Sequence, residues 1–394
     1  MKVLYLVNKG LMTSDLATSL ILYGFDVVTL DDYECPYDID SPNCKQIIDD
    51  FLTNNNIDFV ISYNFIPSAA YVCEKHNIPY ISWMYDAFFP ILYTDALRLK
   101  CNRILVFDSR EYSFLKNLDL CNVYYLPLCT NKNRILDLQI TTDDFINYSN
   151  DISFVGKLYC SEGVNGYSQI KNYLPSEITT SVNSFIELVA CKWNNNDDIL
   201  SFFSQIDYST FPKIMTNNEP KEKIFLPDNL YYFSICFSRL FAQVERTSLL
   251  NSLSEFFNTT LYTYEQPIGL SNNITIKPGV NYANTLPKIY NLSKINLNIS
   301  LRNILSGLPL RVYDIMGAGG FLMTNPQDDF KNYFIDGVDY VSYENKEDLI
   351  NKCSYYLNHE NERIEIALHG YEKICKYHAY ENRLDEIVKI IKTP

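Results

Sequence analysis

Histidine is scarce: four residues (His76, His359, His369 and His378) in a chain of 394. None is spaced as H-x-x-x-H or H-E-x-x-H, so no histidine-based metal site, and no metal cofactor, is expected. C-x-x-C does not occur. The 11 cysteines are odd in number and fit scattered thiols in a reducing cytoplasm better than a disulfide framework or a zinc site. Basic residues are outnumbered, 33 against 47 acidic, for a net charge of −14. That balance excludes a chain that wraps nucleic acid or is held on anionic lipid. Long apolar runs are also missing. Leu230–Ala242 carries Arg239 and is too short to span a bilayer. The apolar start Met1–Val7 is stopped by Asn8, Lys9 and Gly10, well short of a signal-peptide core. An integral membrane segment is therefore not expected. The first strand is not followed by G-x-G-x-x-G, which disfavours a dinucleotide cofactor.

What is present is a globular composition, 47% apolar and 20% charged, and length for two or three domains. Strand-like runs alternate with helical patterns in the first third. Val3–Val7, Asp26–Leu30, Asp58–Tyr63, Tyr80–Tyr85, Arg103–Phe107 and Val123–Leu128 read as strands. Ser14–Tyr23, Lys45–Leu52, Ser68–Lys75 and Glu111–Asn117 read as helices. This alternation predicts βαβ units and a parallel sheet covered on both faces. Polar residues 140–151 read as a linker. A second series follows at Ile152–Gly156, Thr260–Thr263, Ile274–Lys277, Ile295–Ile299, Phe321–Thr324 and Tyr340–Tyr343. Residues from about 160 to 240 form a helix-rich insertion. One helical face carries Leu249, Leu250, Leu253, Phe256 and Phe257, and another Leu384, Ile387, Val388 and Ile391. The expected fold is α/β, with two Rossmann-like domains facing across a cleft. Their bounds are 1–148 and 149–376, with a C-terminal helix at 377–394 that is a candidate to pack back on the first domain.

Ser306–Asn325 (SGLPLRVYDIMGAGGFLMTN) is the most informative stretch. Pro309 suits the first turn of a helix, where its missing N–H costs nothing. Gly307 before it allows a ligand close to the backbone, and the free N–H groups of the first turn attract phosphate. Arg311 and Asp314, three apart, share a helix face. The plain alternative is a capped helix with a surface ion pair and glycines that end it.

The run from Gly307 to Leu322 resembles the signature helix of GT-B glycosyltransferases of the group 1 type. The likeness is strongest to their CgeB-like branch, found in spore-coat and surface-glycosylation clusters. Ser293–Arg302, Ile152–Tyr159 and His378–Arg383 are similar to that branch too, as are Tyr80–Ala87 and Tyr125–Leu128 in the first domain. The resemblance implies transfer of a sugar from a nucleoside diphosphate donor, foremost a UDP-sugar. It also implies a glycan or protein acceptor at the cell surface, flagellin among the options. It would have Asp314 accept from ribose hydroxyls. The backbone at Gly307, Leu308, Pro309 and Leu310, with Arg311 or Arg302, would face the diphosphate. Many group 1 retaining enzymes carry Glu, seven residues, then Glu; here Ser306 stands in the first place and Asp314 in the second.

Further candidates lie at strand ends. Gly156 and Lys157 follow a strand, and a Lys there would neutralise a leaving diphosphate; a solvated cation is the alternative. Arg246, at the opening of a helix over 247–257, is a second cation. Tyr282 lines a nucleobase slot or simply packs. Asp86 ends a strand of the first domain and is placed to take an acceptor proton, or else to cap a helix. Asp38-Ile39-Asp40 imitates a metal-binding D-x-D between two prolines, and is read as coincidence. Two other readings stay open: a nucleotide-sugar epimerase of the same fold, and a catalytically silent sugar-binding or surface-assembly protein.

Overall fold

The computed structural model describes residues 1–7, 13–31, 41–120, 122–132, 134, 138–160, 166–193, 196–212 and 224–392. The chain divides into two compact units. The first comprises Met1–Cys129, Met215–Pro227 and Ala379–Pro394, and the second Thr130–Ile214 and Asp228–His378.

In the first unit β1 (Lys2–Leu6), α1 (Thr13–Tyr23), β2 (Asp26–Leu30), α2 (Pro42–Asn54), β3 (Phe59–Tyr63), α3 (Pro67–His76), β4 (Tyr80–Trp83), β5 (Asn102–Val106), α4 (Ser109–Lys116) and β6 (Val123–Tyr125) alternate as expected. The six strands are parallel, in the order β2-β1-β3-β4-β5-β6. Every residue of β3, β4 and β5 is buried, as helices on both faces require of central strands. Capping sets the helix starts. Ser41 accepts from the Cys44 N–H ahead of Pro42, and Asp108 accepts from Arg110 and Glu111. The helix Tyr380–Ile391 belongs to this unit too. Its Leu384 and Ile387 are fully buried, and Arg383 donates to the carbonyls of Pro127 and Leu128.

The second unit opens with α5 (Thr142–Tyr148) and β7 (Ile152–Val155). Helices α6 (Gly166–Ile170), α7 (Ser176–Val189), α8 (Asn196–Ser204), α9 (Asp228–Tyr232) and α10 (Ser238–Ser254) follow, α10 being entered through a π-turn at Phe233–Phe237. Then come β8 (Thr259–Thr263), β9 (Thr275–Pro278), α11 (Leu286–Leu292), β10 (Ile295–Asn298), α12 (Leu310–Gly317), β11 (Leu322–Thr324), β12 (Val341–Ser342), α13 (Lys346–Asn358) and α14 (Glu360–Tyr377). The helix Tyr380–Ile391 is α15. The sheet order is β12-β11-β10-β7-β8-β9, again all parallel. From β7 the chain runs outward through β8 to β9, then returns to lay β10 on the other flank of β7. The topological switch point therefore lies between β7 and β10, where open α/β sheets bind ligands at the carboxyl ends of their strands.

Three expectations change. The polar stretch at 140–151 is not an extended linker but contains α5. Thr141 and Asp144 form a reciprocal capping box, and Asp144 pairs with Lys288 of α11 at 2.7 Å. For the same reason the first unit ends at Cys129 rather than at 148: Thr130 donates to Asp314 at 2.7 Å, and α5 is tied to α11 of the second unit by that ion pair. Phe256 lies beyond α10 and is exposed, while Leu249, Leu250 and Leu253 are core as expected. Asp38 and Asp40, with Asn8 to Met12, lie outside the described residues. Nine cysteines are described, all free thiols. No helix among the described residues is long and apolar enough to cross a membrane.

Candidate functional site

The carboxyl ends of β7 and β10 are joined by two arginines. Arg311, in the first turn of α12, donates from Nε to the Val155 carbonyl that ends β7 (3.1 Å) and from Nη1 to the Asn298 side chain that ends β10 (3.0 Å). Arg246 donates to the carbonyls of Lys157 (2.6 Å) and Ile299 (2.7 Å), the residues just past the same two strands. Both guanidiniums lie against the Phe154 ring, at 5.0 and 5.3 Å. Neither forms an ion pair with a carboxylate among the described residues. Arg246 is 3% exposed and its Nε has no hydrogen-bond partner there. Burial, with Arg311 nearby, pulls its pKa down to about 10. Two cations without a carboxylate ion pair among the described residues thus sit at the switch point of a protein whose net charge is −14.

The surrounding backbone is built to hold them. Gly156 has no side chain where Arg311 passes: a Cβ there would lie 2.6 Å from Nη2. The following turn is fastened by Glu265, which accepts from the N–H groups of Leu158 (2.5 Å) and Tyr159 (3.0 Å). Asn298 is fully buried and donates to Ser300 and Thr324 while accepting from Arg311. α12 begins at Leu310, with Pro309 as its N-cap one residue earlier than the sequence pattern implied, and no side chain caps it. Pro309, Leu310 and Arg311 are half-buried, whereas Gly307 and Leu308 are buried. The first N–H groups of such a helix lack intrahelical acceptors and add to the positive potential.

Asp314 lies one turn further along α12 and is buried. It does not pair with Arg311. Its Oδ1 accepts from Thr130 (2.7 Å) and its Oδ2 from Tyr282 (2.8 Å). Burial raises its pKa, against the nearby charge of Arg134 and these two hydrogen bonds. Arg134 stacks on Tyr282 at 4.3 Å. A water-sized cavity adjoins Asp314 beside Thr130, Arg134 and Tyr290. Gly317 gives Thr130 its seat, because a Cβ there would meet the Thr130 methyl at 2.4 Å. Tyr282 is therefore tied to Asp314, not open as a platform. Ser306 is buried; its carbonyl accepts from the Asp329 N–H (3.0 Å) and its hydroxyl bonds the Asp329 carboxylate (3.4 Å).

Two candidates sit differently from their reading. Arg302 is turned into the protein: it is 3% exposed, pairs with Glu245 at 2.5 Å and stacks on Trp193 at 3.9 Å. Arg246 lies in the middle of α10 rather than at a helix opening, because the helix begins at Ser238. Lys157 is exposed and makes no ion pair among the described residues. In the first unit Asp86 is exposed, three residues past the end of β4, and accepts from Asn64 at 2.7 Å. No group of three or more His, Cys, Asp or Glu suited to a metal ion occurs among the described residues. The sequence reading missed Phe154, Asn298, Glu265, Thr130 and Asn64. A buried Asn inside the apolar run Ile295–Ile299 was the one available signal, since such a group must find a polar partner.

The architecture is that of GT-B glycosyltransferases. A glycosyltransferase from Rickettsia africae ESF-5 matches over 99% of this chain and 97% of its own, with a TM-score of 0.55 at 11% identity. Anabaena Alr3699/HepE, solved with UDP and glucose, matches over 100% of both chains with a TM-score of 0.56 at 9% identity. T4 phage BGT, solved with its UDP-glucose substrate, gives 0.51 at 12% identity over 100% of both. At such identities the likeness is one of fold. Residues 246–389, which begin at Arg246 and take in Arg311 and Asp314, match a family described as glycosyl transferase-like. No curated protein sequence matches the chain.

Proposed function

We propose that this protein is a glycosyltransferase that moves a hexosyl or N-acetylhexosaminyl group from a UDP-sugar to a hydroxyl-bearing acceptor. The observation that carries the reading is the pair Arg246 and Arg311, neither in an ion pair with a carboxylate among the described residues, bridging β7 and β10. Such a pair beside an uncapped helix start suits a diphosphate. The family match over 246–389 and the UDP and UDP-glucose complexes of the structural neighbours support the donor class.

In this reading the second unit holds the donor. The guanidiniums, the first N–H groups of α12 and Lys157 meet the negative charge that grows on the leaving diphosphate, an effect that increases toward the transition state. Asp314 keeps lone pairs beyond those used by Thr130 and Tyr282 and accepts from the ribose hydroxyls. The acceptor oxygen bonds the anomeric carbon, the bond from that carbon to the diphosphate oxygen breaks, and its electron pair leaves with UDP. Asp86 of the first unit takes the acceptor proton. No metal ion enters this scheme. The likeness to the CgeB-like branch supports a cytoplasmic enzyme that modifies a surface glycan or a surface protein of the flagellin kind.

The test is incubation with labelled UDP-sugars, with products separated by chromatography. Free UDP with released or transferred sugar supports the proposal. A changed sugar still joined to UDP makes the protein an epimerase, and binding without turnover makes it a silent sugar-binding protein. Arg311→Ala and Arg246→Ala should each weaken UDP binding in calorimetry, and unchanged affinity in both removes the switch-point site.

A further inference from the structure

The loop after β4 is gripped from two sides within the first unit. Asn64, directly after β3, has a left-handed backbone (φ 54) and is buried. Its N–H is fixed on the Trp83 carbonyl at 2.8 Å. Its Oδ1 accepts from the N–H groups of Tyr85 (2.9 Å) and Asp86 (3.2 Å), and its Nδ2 donates to Asp86 Oδ2 at 2.7 Å. One amide thus holds both the backbone and the carboxylate of Asp86. On the other side Glu111 of α4 accepts from the Phe88 N–H (2.9 Å) and the Tyr93 hydroxyl (2.7 Å). Phe88, like Asn64, has a left-handed backbone (φ 48). Two non-glycine residues in the left-handed region, Asn64 beside the loop and Phe88 within it, show a shape imposed by its partners.

Asp86 and Asp108 both act on Glu111, which burial holds toward its neutral form. Asp108 is buried and spends its carboxylate on the first turn of α4. Asp86 is the exposed carboxylate of the three. A carboxylate beside other acidic groups gains most from a donor that favours its charged form. A fixed orientation also spares the cost of ordering it during reaction.

Resting on the reading of Asp86 as the acceptor's base, we propose that Asn64 is its positioning residue: the Asn64 amide orients the Asp86 carboxylate and keeps it ionised. Two substitutions separate this role from a turn-forming one, because Gly and Asp both tolerate the left-handed backbone. Asn64→Gly removes every side-chain bond to the loop. Asn64→Asp keeps an acceptor for the two N–H groups but sets a like charge against Asp86.

The experiment is a carbon-13 carboxyl NMR titration of Asp86 in the full chain, assigned with Asp86→Asn, alongside steady-state kinetics. Asn64→Asp should move the Asp86 titration up by about one pH unit or more, and Asn64→Gly by less. In both, kcat should fall by about ten-fold or more with KM for the UDP-sugar unchanged, and the acid limb of the pH profile should follow the titration. An Asp86 titration unmoved in both variants overturns the role of Asn64. Full turnover by Asp86→Asn instead overturns the base reading alone, a result the titration cannot mimic.

Discussion

Arg311 runs through the space that a side chain on Gly156 would occupy, with Nη2 2.6 Å from the position of the absent Cβ. The glycine after β7 and the arginine of α12 are thus one device, 155 residues apart in sequence. Gly156→Ala should displace the guanidinium from Val155 and Asn298. We expect UDP affinity to fall by about 1.5–3 kcal/mol, the range for a hydrogen bond to a charged group. Calorimetry checks this, and circular dichroism should report an unchanged fold.

Asp314→Ala removes the carboxylate that Thr130 and Tyr282 hold in place. UDP should bind more weakly by about 1–3 kcal/mol if ribose hydroxyls use the same group. Unchanged affinity at full occupancy would leave Asp314 a purely internal tie between residue 130 and α12.

Arg302 and Glu245 form a buried pair, 2% and 0% exposed at their side chains. Glu245→Ala strands a charge against Trp193 and should cost about 3–5 kcal/mol of stability, read from denaturant unfolding. Because Arg302 faces this pair and not the switch point, Arg302→Met should leave UDP affinity of the folded protein intact. A large loss of affinity would return Arg302 to the ligand site.

Glu111 makes stability depend on pH. Its folded pKa is raised from 4.5 to about 8 by burial. Between those values the folded chain keeps a proton that the unfolded chain has released, so this group's contribution falls as pH rises through that window. Glu111→Gln mimics the neutral form. Its melting temperature should lack that component of the decline from about pH 5 to about pH 9 and exceed the parent's at the upper end. Parallel curves would refute the assignment.

Much of the fold was legible because the sheets are parallel and buried, which writes strands as apolar runs separated by helical periods. Strand boundaries missed by one to three residues, as for Tyr80–Tyr85 against β4 and Val123–Leu128 against β6, because the residues after a strand can be as apolar as the strand. The site was legible in part. Pro309, Gly156, Arg311 and Asp314 stand next to visible punctuation. Arg246 and Arg302, 56 residues apart, look alike as isolated cations; only the chain's path shows that one meets two carbonyls and the other a carboxylate. Asn64 carried no local sign, since its partners Tyr85 and Asp86 lie 21 and 22 residues further on, past the end of the neighbouring strand β4.

The last helix lies in the same unit as β1. Tyr380 meets Tyr63 at 2.8 Å, and Tyr23 donates to Asp385 at 2.5 Å. During synthesis the N-terminal sheet therefore waits, lacking one wall, until some 250 further residues have left the ribosome. Truncation near residue 379 should yield not a smaller folded protein but a first unit with an open seam, prone to capture by chaperones.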